Sequence, residues 1–422
     1  GEPPPTMDEQ AMRTAIERKR DGESLESATW HAILAAYTEG AVDDAQMAAL
    51  AMAIHFRELD LDEICALTEA MLASGERLHF PAEPFVVDKH SSGGVSDIIS
   101  LVAVPLVAAC GVPVAKLSGR ALGHTGGTID KLEAIPGLRV ALSNDEFISQ
   151  VKRIGCAIAA ASESLVPADK RLYRLRDRTG SVPSVGLIVA SILSKKLAGG
   201  AHGFVFDVKC GRAAFMRDER EALVLARRLV EISARFDRPA HAVVSAMNEP
   251  LGRCIGTGIE VVEARDFLRG ERIDERVSEL CIAVAAQMIH LGGVAQGEER
   301  ARRALADASG YARFLAMLEA QGAVRELVEG LRIAPRTHEV HATRRGTVAR
   351  IDAVALGNAS RRLTARHNMG GIEVAVRVGE QIERGQPLAS IYGDGLHAHD
   401  LLAAFEIAES PVAPEPLLIA SL

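Results

Sequence analysis

Apolar residues recur every three or four positions through residues 8–79, as in Met47, Leu50, Ala51 and Ile54. That spacing predicts helices with one buried face. Ala, Leu, Met, Glu and Arg dominate the stretch, and breaks at Thr38-Glu39-Gly40 and Leu59-Asp60-Leu61-Asp62 divide it into several short helices. The pattern changes at Pro81. Residues 85–88 predict a short buried strand, followed by a Ser/Gly loop and an apolar helix near 97–110. Residues 112–117 predict a second strand, with a Gly-rich loop over 118–128 behind it. Strands at 204–209 and 240–245 flank a long helix around 217–235. Strands alternating with helices predict an α/β sheet domain. From about Pro335 the period shortens to two, over 338–352, 371–379 and 381–392, with Gly379 and Gly385 in turns. This predicts a small β-rich C-terminal unit.

Composition narrows the function classes. The chain has 422 residues, 48% of them apolar and 25% charged, with a formal charge of −8. That balance suits folded domains with real cores. It excludes a general nucleic-acid coat, which needs many cationic contacts to phosphate. A small anionic substrate needs only a local basic pocket. The six cysteines show neither CxxC pairs nor zinc spacing, so they read as reduced core residues of a cytoplasmic protein, with no metal site. The uncharged run 98–115 is broken by Pro105, Gly111 and Pro113, and fits a buried helix and strand rather than a membrane span. The Pro-rich start GEPPPTMDEQ has neither the basic head nor the apolar stretch of a signal peptide, and reads as a disordered leader.

Three segments carry candidate chemistry. Asp88 to Asp97, reading DKHSSGGVSD, joins a strand to a helix. Free N–H groups at a helix start, close backbone approach at Gly93 and Gly94, and the donors Lys89, Ser91 and Ser92 suit a phosphate. A plain capped helix with a flexible Gly pair remains open from the residues alone. Ser118 to Glu133 holds four glycines and again follows a strand, so Ser118 and Thr128 could complete an anion cage, or Thr128 could simply begin a helix. Two such loops point to one sheet edge, where ligands of open α/β sheets bind. Ser191 and Lys195 are four apart and share a helix face, with Arg176 upstream. That face suits one planar ligand or plain solvation.

The strings DKHSSGGVSD, SGRALGHTGGTIDKLEAIPG, LVPADKRLYRLRD and ASILSKKLAGG, in this order, closely resemble the thymidine and pyrimidine-nucleoside phosphorylase family. The resemblance covers most of the chain and is strongest over 88–216. It implies a helical, base-binding domain over 1–79 with 165–198, an α/β, phosphate-binding domain over 80–164 with 199–335, and the β-rich unit over 336–422. The implied layout is nucleoside phosphorylase/phosphoribosyltransferase-like, with domain closure across a cleft and a homodimer formed through the helical domain. The implied reaction is reversible phosphorolysis of pyrimidine nucleosides to free base and α-pentose 1-phosphate.

By match to the family motifs, Lys89, Ser91, Ser100, Ser118 and Thr128 are the implied phosphate ligands. Arg176, Ser191 and Lys195 are the implied base ligands, with Tyr173 packing near the base. His90 matches the histidine that serves the base carbonyl, so His90, Arg176 and Lys195 are the implied catalytic groups. Lys116 stands where broader pyrimidine phosphorylases carry Lys and thymidine-specific ones Met, which implies that ribose is accepted beside deoxyribose. Phosphate is a co-substrate and no cofactor is implied. Some members bind a monovalent cation through the first loop and a Glu matching Glu263, but Ser96 and Ile98 depart from those members. Ser92, Ala121 and the segment 179–189 also depart from the family pattern, the last bearing on base preference. Two other readings carry over: a phosphoribosyltransferase needing magnesium, with Asp97 and Asp130 nearby, and a catalytically silent nucleoside-binding protein.

Overall fold

A computed structural model describes residues 7–120 and 126–422. The leader residues 1–6 and Ala121 lie outside the described residues. The chain forms two compact units, residues 1–82 with 161–202 and 227–240, and residues 83–160 with 203–226 and 241–422. Two expectations change. Residues 336–422 belong to the second unit rather than standing alone, and residues 227–240, expected with the sheet, belong to the first.

The first unit is helical. Glu9–Arg20, Ser27–Glu39, Asp44–Arg57 and Leu61–Ala73 are joined by Pro167–Thr179 and Val185–Ala198. Asp8, Asp43 and Asp60 each accept a backbone N–H at a helix start, and Asp60 forms a reciprocal box with Glu63. The apolar face predicted by Met47, Leu50, Ala51 and Ile54 is buried, alongside Trp30, Ile33, Tyr37 and Met71. One ion pair lies inside this core, Lys19 Nζ to Glu63 Oε2 at 2.6 Å. Glu58 fixes the start of the Val185–Ala198 helix. Its carboxylate accepts the N–H groups of Val185 (3.0 Å) and Gly186 (3.1 Å) and the Ser184 hydroxyl (3.3 Å).

The second unit centres on a six-stranded sheet ordered Leu418–Ser421, Ala240–Ala246, Gly203–Cys210, Val87–Ser91, Val114–Ser118, Cys156–Ala160. Val87–Ser91 pairs in parallel with both neighbours, and Val114–Ser118 with Cys156–Ala160, so these four strands end at one edge. The strand at Cys156–Ala160 was not foreseen. Ile99–Ala109, buried on every side, packs in the core of this unit. The C-terminal residues weave into the same core. Cys254–Gly256 joins Gly371–Val374, Pro387–Tyr392 and Arg336–His341 in an antiparallel sheet, and Leu418–Ser421 edges the main sheet antiparallel to Ala240–Ala246. That exchange of strands is why no separate unit begins at 336. A helix, Ala353–Thr364, interrupts the expected run of strands.

Candidate active site

The carboxyl edge of the parallel strands carries a buried, alternating set of charges. Strand geometry turns Lys89 and Ser91 to one face and His90 to the other. Lys89 is fully buried; its Nζ donates to Ser100 Oγ at 3.2 Å and lies 3.7 Å from Asp207 Oδ2. Lys209 Nζ donates to Asp207 Oδ2 at 2.7 Å and lies 3.7 Å from Asp97 Oδ2. Lys131 Nζ reaches the Asp97 carbonyl and Glu260 Oε2, each at 2.6 Å. Three ammonium groups thus interleave with three carboxylates. Burial would raise the Asp97 carboxyl, but Lys209, Lys89 and Lys131 outweigh it and hold Asp97 well below the usual carboxylate range. Burial lowers the Lys89 ammonium, opposed by Asp97 and Asp207.

Hydroxyl groups finish this edge. Ser100 accepts a hydrogen bond from the Lys89 ammonium and keeps its own hydroxyl proton to donate. Ser91 donates to Asp97 Oδ2 at 2.7 Å and accepts the Gly93 N–H at 3.3 Å, so it presents its remaining lone pair rather than a proton. Ser92 Oγ accepts the Lys209 N–H at 2.7 Å and ties the first loop to the neighbouring strand. Gly93, at φ +100°, supplies the turn. Ser118 ends its strand, and Thr128 opens the short helix Thr128–Leu132. Lys116 is buried, its Nζ 3.4 Å from the Leu117 carbonyl. Asp97 and Asp130 are both engaged, Asp97 as above and Asp130 by Arg120 at 3.2 Å.

In the helical unit, Arg176, Ser191, Lys195 and Tyr173 come together. Lys195 Nζ donates to Ser191 Oγ (2.9 Å) and to Asp169 Oδ2 (2.7 Å). The Tyr173 ring lies 5.6 Å from Lys195 Nζ and 5.7 Å from the Arg176 guanidinium carbon. Arg176 has no exposed surface. Its three nitrogens donate to the carbonyls of Ser181 (3.3 Å), Leu187 (3.3 Å) and Val182 (2.6 Å). It therefore braces the altered segment 179–189 from within.

Residues 83–312 match the family model described as glycosyl transferase family, a/b domain, and residues 13–75 match glycosyl transferase family, helical bundle domain. A pyrimidine-nucleoside phosphorylase of Geobacillus stearothermophilus is 42% identical over 427 residues, covering 96% of this chain and 98% of that protein. A thymidine phosphorylase of Mycobacterium tuberculosis is 43% identical over 420 residues, covering 96% and 97%. The chain belongs to the thymidine and pyrimidine-nucleoside phosphorylase family. Anthranilate phosphoribosyltransferase from Thermus thermophilus shares the fold, with a TM-score of 0.58 at 20% identity over 73% of this chain and 99% of that one.

Within this phosphorylase family member, the region matching a cation loop is tightly hydrogen-bonded. Ser96 stands at φ +58°, and its buried hydroxyl donates to the Cys254 carbonyl at 2.5 Å. The Ser96 carbonyl accepts the Gly252 N–H at 3.1 Å, and Ile98 offers only hydrocarbon. Glu263 accepts the N–H groups of Arg253 (2.7 Å) and Cys254 (3.1 Å). A Cβ on Gly252 would lie 2.7 Å from Ser96 Oγ and 2.8 Å from Glu263 Oε2, so only glycine fits between them. Burial pushes the Glu263 carboxyl up to about 7, against the pull of those two N–H groups. A carboxyl raised on folding binds its proton more tightly in the native state, so its contribution to stability declines as pH rises from 4.5 through about 7. Glu263→Gln is expected to remove that decline. Its unfolding free energy relative to wild type should rise by on the order of 3 kcal/mol between pH 4 and pH 8, as read by denaturant melts across that range.

Sequence reading passed over Lys131, Asp207, Lys209 and Glu260 as site components, and Asp169 with them; Asp97 was named only for the magnesium-dependent reading. The strand–loop motif flagged their neighbours. Lys131 with Glu260 and Lys89 with Asp207 pair across more than 100 residues, and Asp169 pairs with Lys195 on another helix.

Proposed function

We propose that this chain catalyses reversible phosphorolysis of pyrimidine nucleosides, taking thymidine, deoxyuridine and uridine to the free base and an α-pentose 1-phosphate. The observation that carries the proposal is the buried Lys89–Ser100 pair at the carboxyl edge of a parallel sheet, in a chain 42–43% identical over 96% of its length to proteins named for this reaction.

Breaking the C1′–N1 bond leaves oxocarbenium character on the sugar and negative charge on the base. Lys89, Ser100, Ser118 and Thr128 hold the attacking phosphate, with Ser91 accepting a hydrogen bond from it. Lys195 and Ser191 hold the base oxygens and ring edge beside Tyr173, and Arg176, expected as a base ligand, instead braces the segment behind them through the carbonyls of Ser181, Val182 and Leu187. His90 donates to the carbonyl next to the scissile bond as charge gathers there. We assign no cofactor, with phosphate as the co-substrate. We assign the work to the cytoplasm and to a homodimer. None of the described helices is long and apolar enough to cross a membrane.

A substrate panel tests the reading. Thymidine, deoxyuridine, uridine, cytidine and a purine nucleoside are each incubated with and without phosphate, and base release is followed. Release from the first three that requires phosphate supports it; no release, or consumption of free base with phosphoribosyl diphosphate and magnesium to give a nucleotide and diphosphate, rejects it. Lys116→Met is expected to lower kcat/KM for uridine against thymidine by roughly tenfold, measured on the same panel.

A further inference from the structure

The helical unit holds a buried carboxylate that none of the assigned roles uses. Asp169 lies in the first turn of the Pro167–Thr179 helix, its side chain only 3% exposed. The helix start does not occupy it. Pro167 has no N–H to offer, and the Ala168 N–H goes to Ser74 Oγ at 3.2 Å. One carboxylate oxygen, Oδ2, takes the Lys195 ammonium at 2.7 Å. The other, Oδ1, is buried and has no hydrogen-bond partner among the described residues. A buried acceptor left unpaired detracts from stability. Packing alone therefore gives no reason for a carboxylate at this position. What the carboxylate supplies is charge opposite to Lys195.

The Lys195 side chain is 40% exposed, whereas Asp169 lies at the closed end of the pair. An ammonium has three N–H groups. One goes to Asp169 and one to Ser191 Oγ at 2.9 Å, leaving a single N–H on the open side. Because Ser191 accepts from Lys195, it keeps its own hydroxyl proton to donate. The Tyr173 ring, 5.6 Å from Nζ, bounds this arrangement.

We propose that Asp169 is a positioning residue that pins the Lys195 ammonium against Ser191, so that one N–H and one O–H are aimed at the pyrimidine as negative charge develops on it. The inference rests on the assignment of Lys195 and Ser191 to the base. Asp169 acts through Lys195 and does not touch the substrate.

Asp169→Asn keeps the shape and one acceptor oxygen but removes the charge. Phosphorolysis of thymidine is expected to lose about 100-fold in kcat, the order found when a reacting group is displaced by an ångström. The KM for phosphate and the melting temperature should stay at wild-type values. Placed in a Lys195→Ala background, the same substitution should cost nothing further, because the group it positions is already gone. A purely structural role predicts the reverse, a lowered melting temperature and a loss that multiplies that of Lys195→Ala. Wild-type kcat in the Asn variant, or full additivity with Lys195→Ala, overturns the role of Asp169. A wild-type chain that releases no base with phosphate instead overturns the functional reading beneath it.

Discussion

Lys89→Met is expected to lower kcat/KM for phosphate by about 10²–10³-fold, the usual cost of removing one preorganised donor from a dry site. Methionine fills the same fully buried space, so the strand at Val87–Ser91 should keep its parallel partners. Asp207 would lose a charge 3.7 Å away but would keep Lys209 at 2.7 Å and the Ser245 hydroxyl at 3.0 Å. The defect should therefore appear in the dependence of rate on phosphate, with the KM for thymidine near its wild-type value. Initial rates against phosphate at saturating thymidine, together with a thermal melt, separate the two effects. A variant that binds phosphate normally and merely melts early would remove Lys89 from the site.

Lys209→Met should do the opposite, damaging the fold more than the chemistry. Lys209 is fully buried between Asp207 and Asp97. Its loss leaves two buried carboxylates short of a cation, and breaking such a pair by removing one partner costs about 3–5 kcal/mol. Asp207→Asn added to Lys209→Met should recover part of that loss, since it removes one stranded charge. The acid limb of stability should change too. Asp97 is held low in the folded state, so its contribution is present above its unfolded value of 3.8 and is lost as pH falls below it. Without Lys209 that depression shrinks, and acid unfolding should become less steep. Chemical denaturation at pH 7 and pH 3 for the three proteins checks both statements.

The two predictions draw on different depths of the sequence. The strand–loop–helix pattern around Lys89 was legible because both of its signals are local: a short apolar run, then Ser and Gly before a long uncharged helix. The charges at 207 and 209 were not. Phe204-Val205-Phe206-Asp207-Val208-Lys209 reads as a strand but does not tell where its two charges lie, and all eight residues of Gly203–Cys210 are buried. The polar face is covered because it meets Lys89, Asp97 and Ser245, none of them nearby in sequence. Asp169 was hidden in another way. An acid in the first turn of a helix after proline is ordinary, and its ion pair with Lys195 depends on the packing of two helices. Arg176 read as a ligand by motif, and the three carbonyls it braces became visible only once the segment 181–187 was seen to fold back on it. The strand Cys156–Ala160 escaped because Cys-Ala-Ile-Ala-Ala has little β preference, and its neighbour Val114–Ser118 supplies what the residues do not.

The interleaved ammonium and carboxylate groups at the sheet edge lie inside the protein rather than on a rim. Mobile ions screen charges that water reaches and scarcely touch those it does not. With phosphate held there as proposed, the grip is set by fixed neighbours and is nearly indifferent to the ionic strength of the surroundings, a matter of short-range fit and not of a far-reaching field.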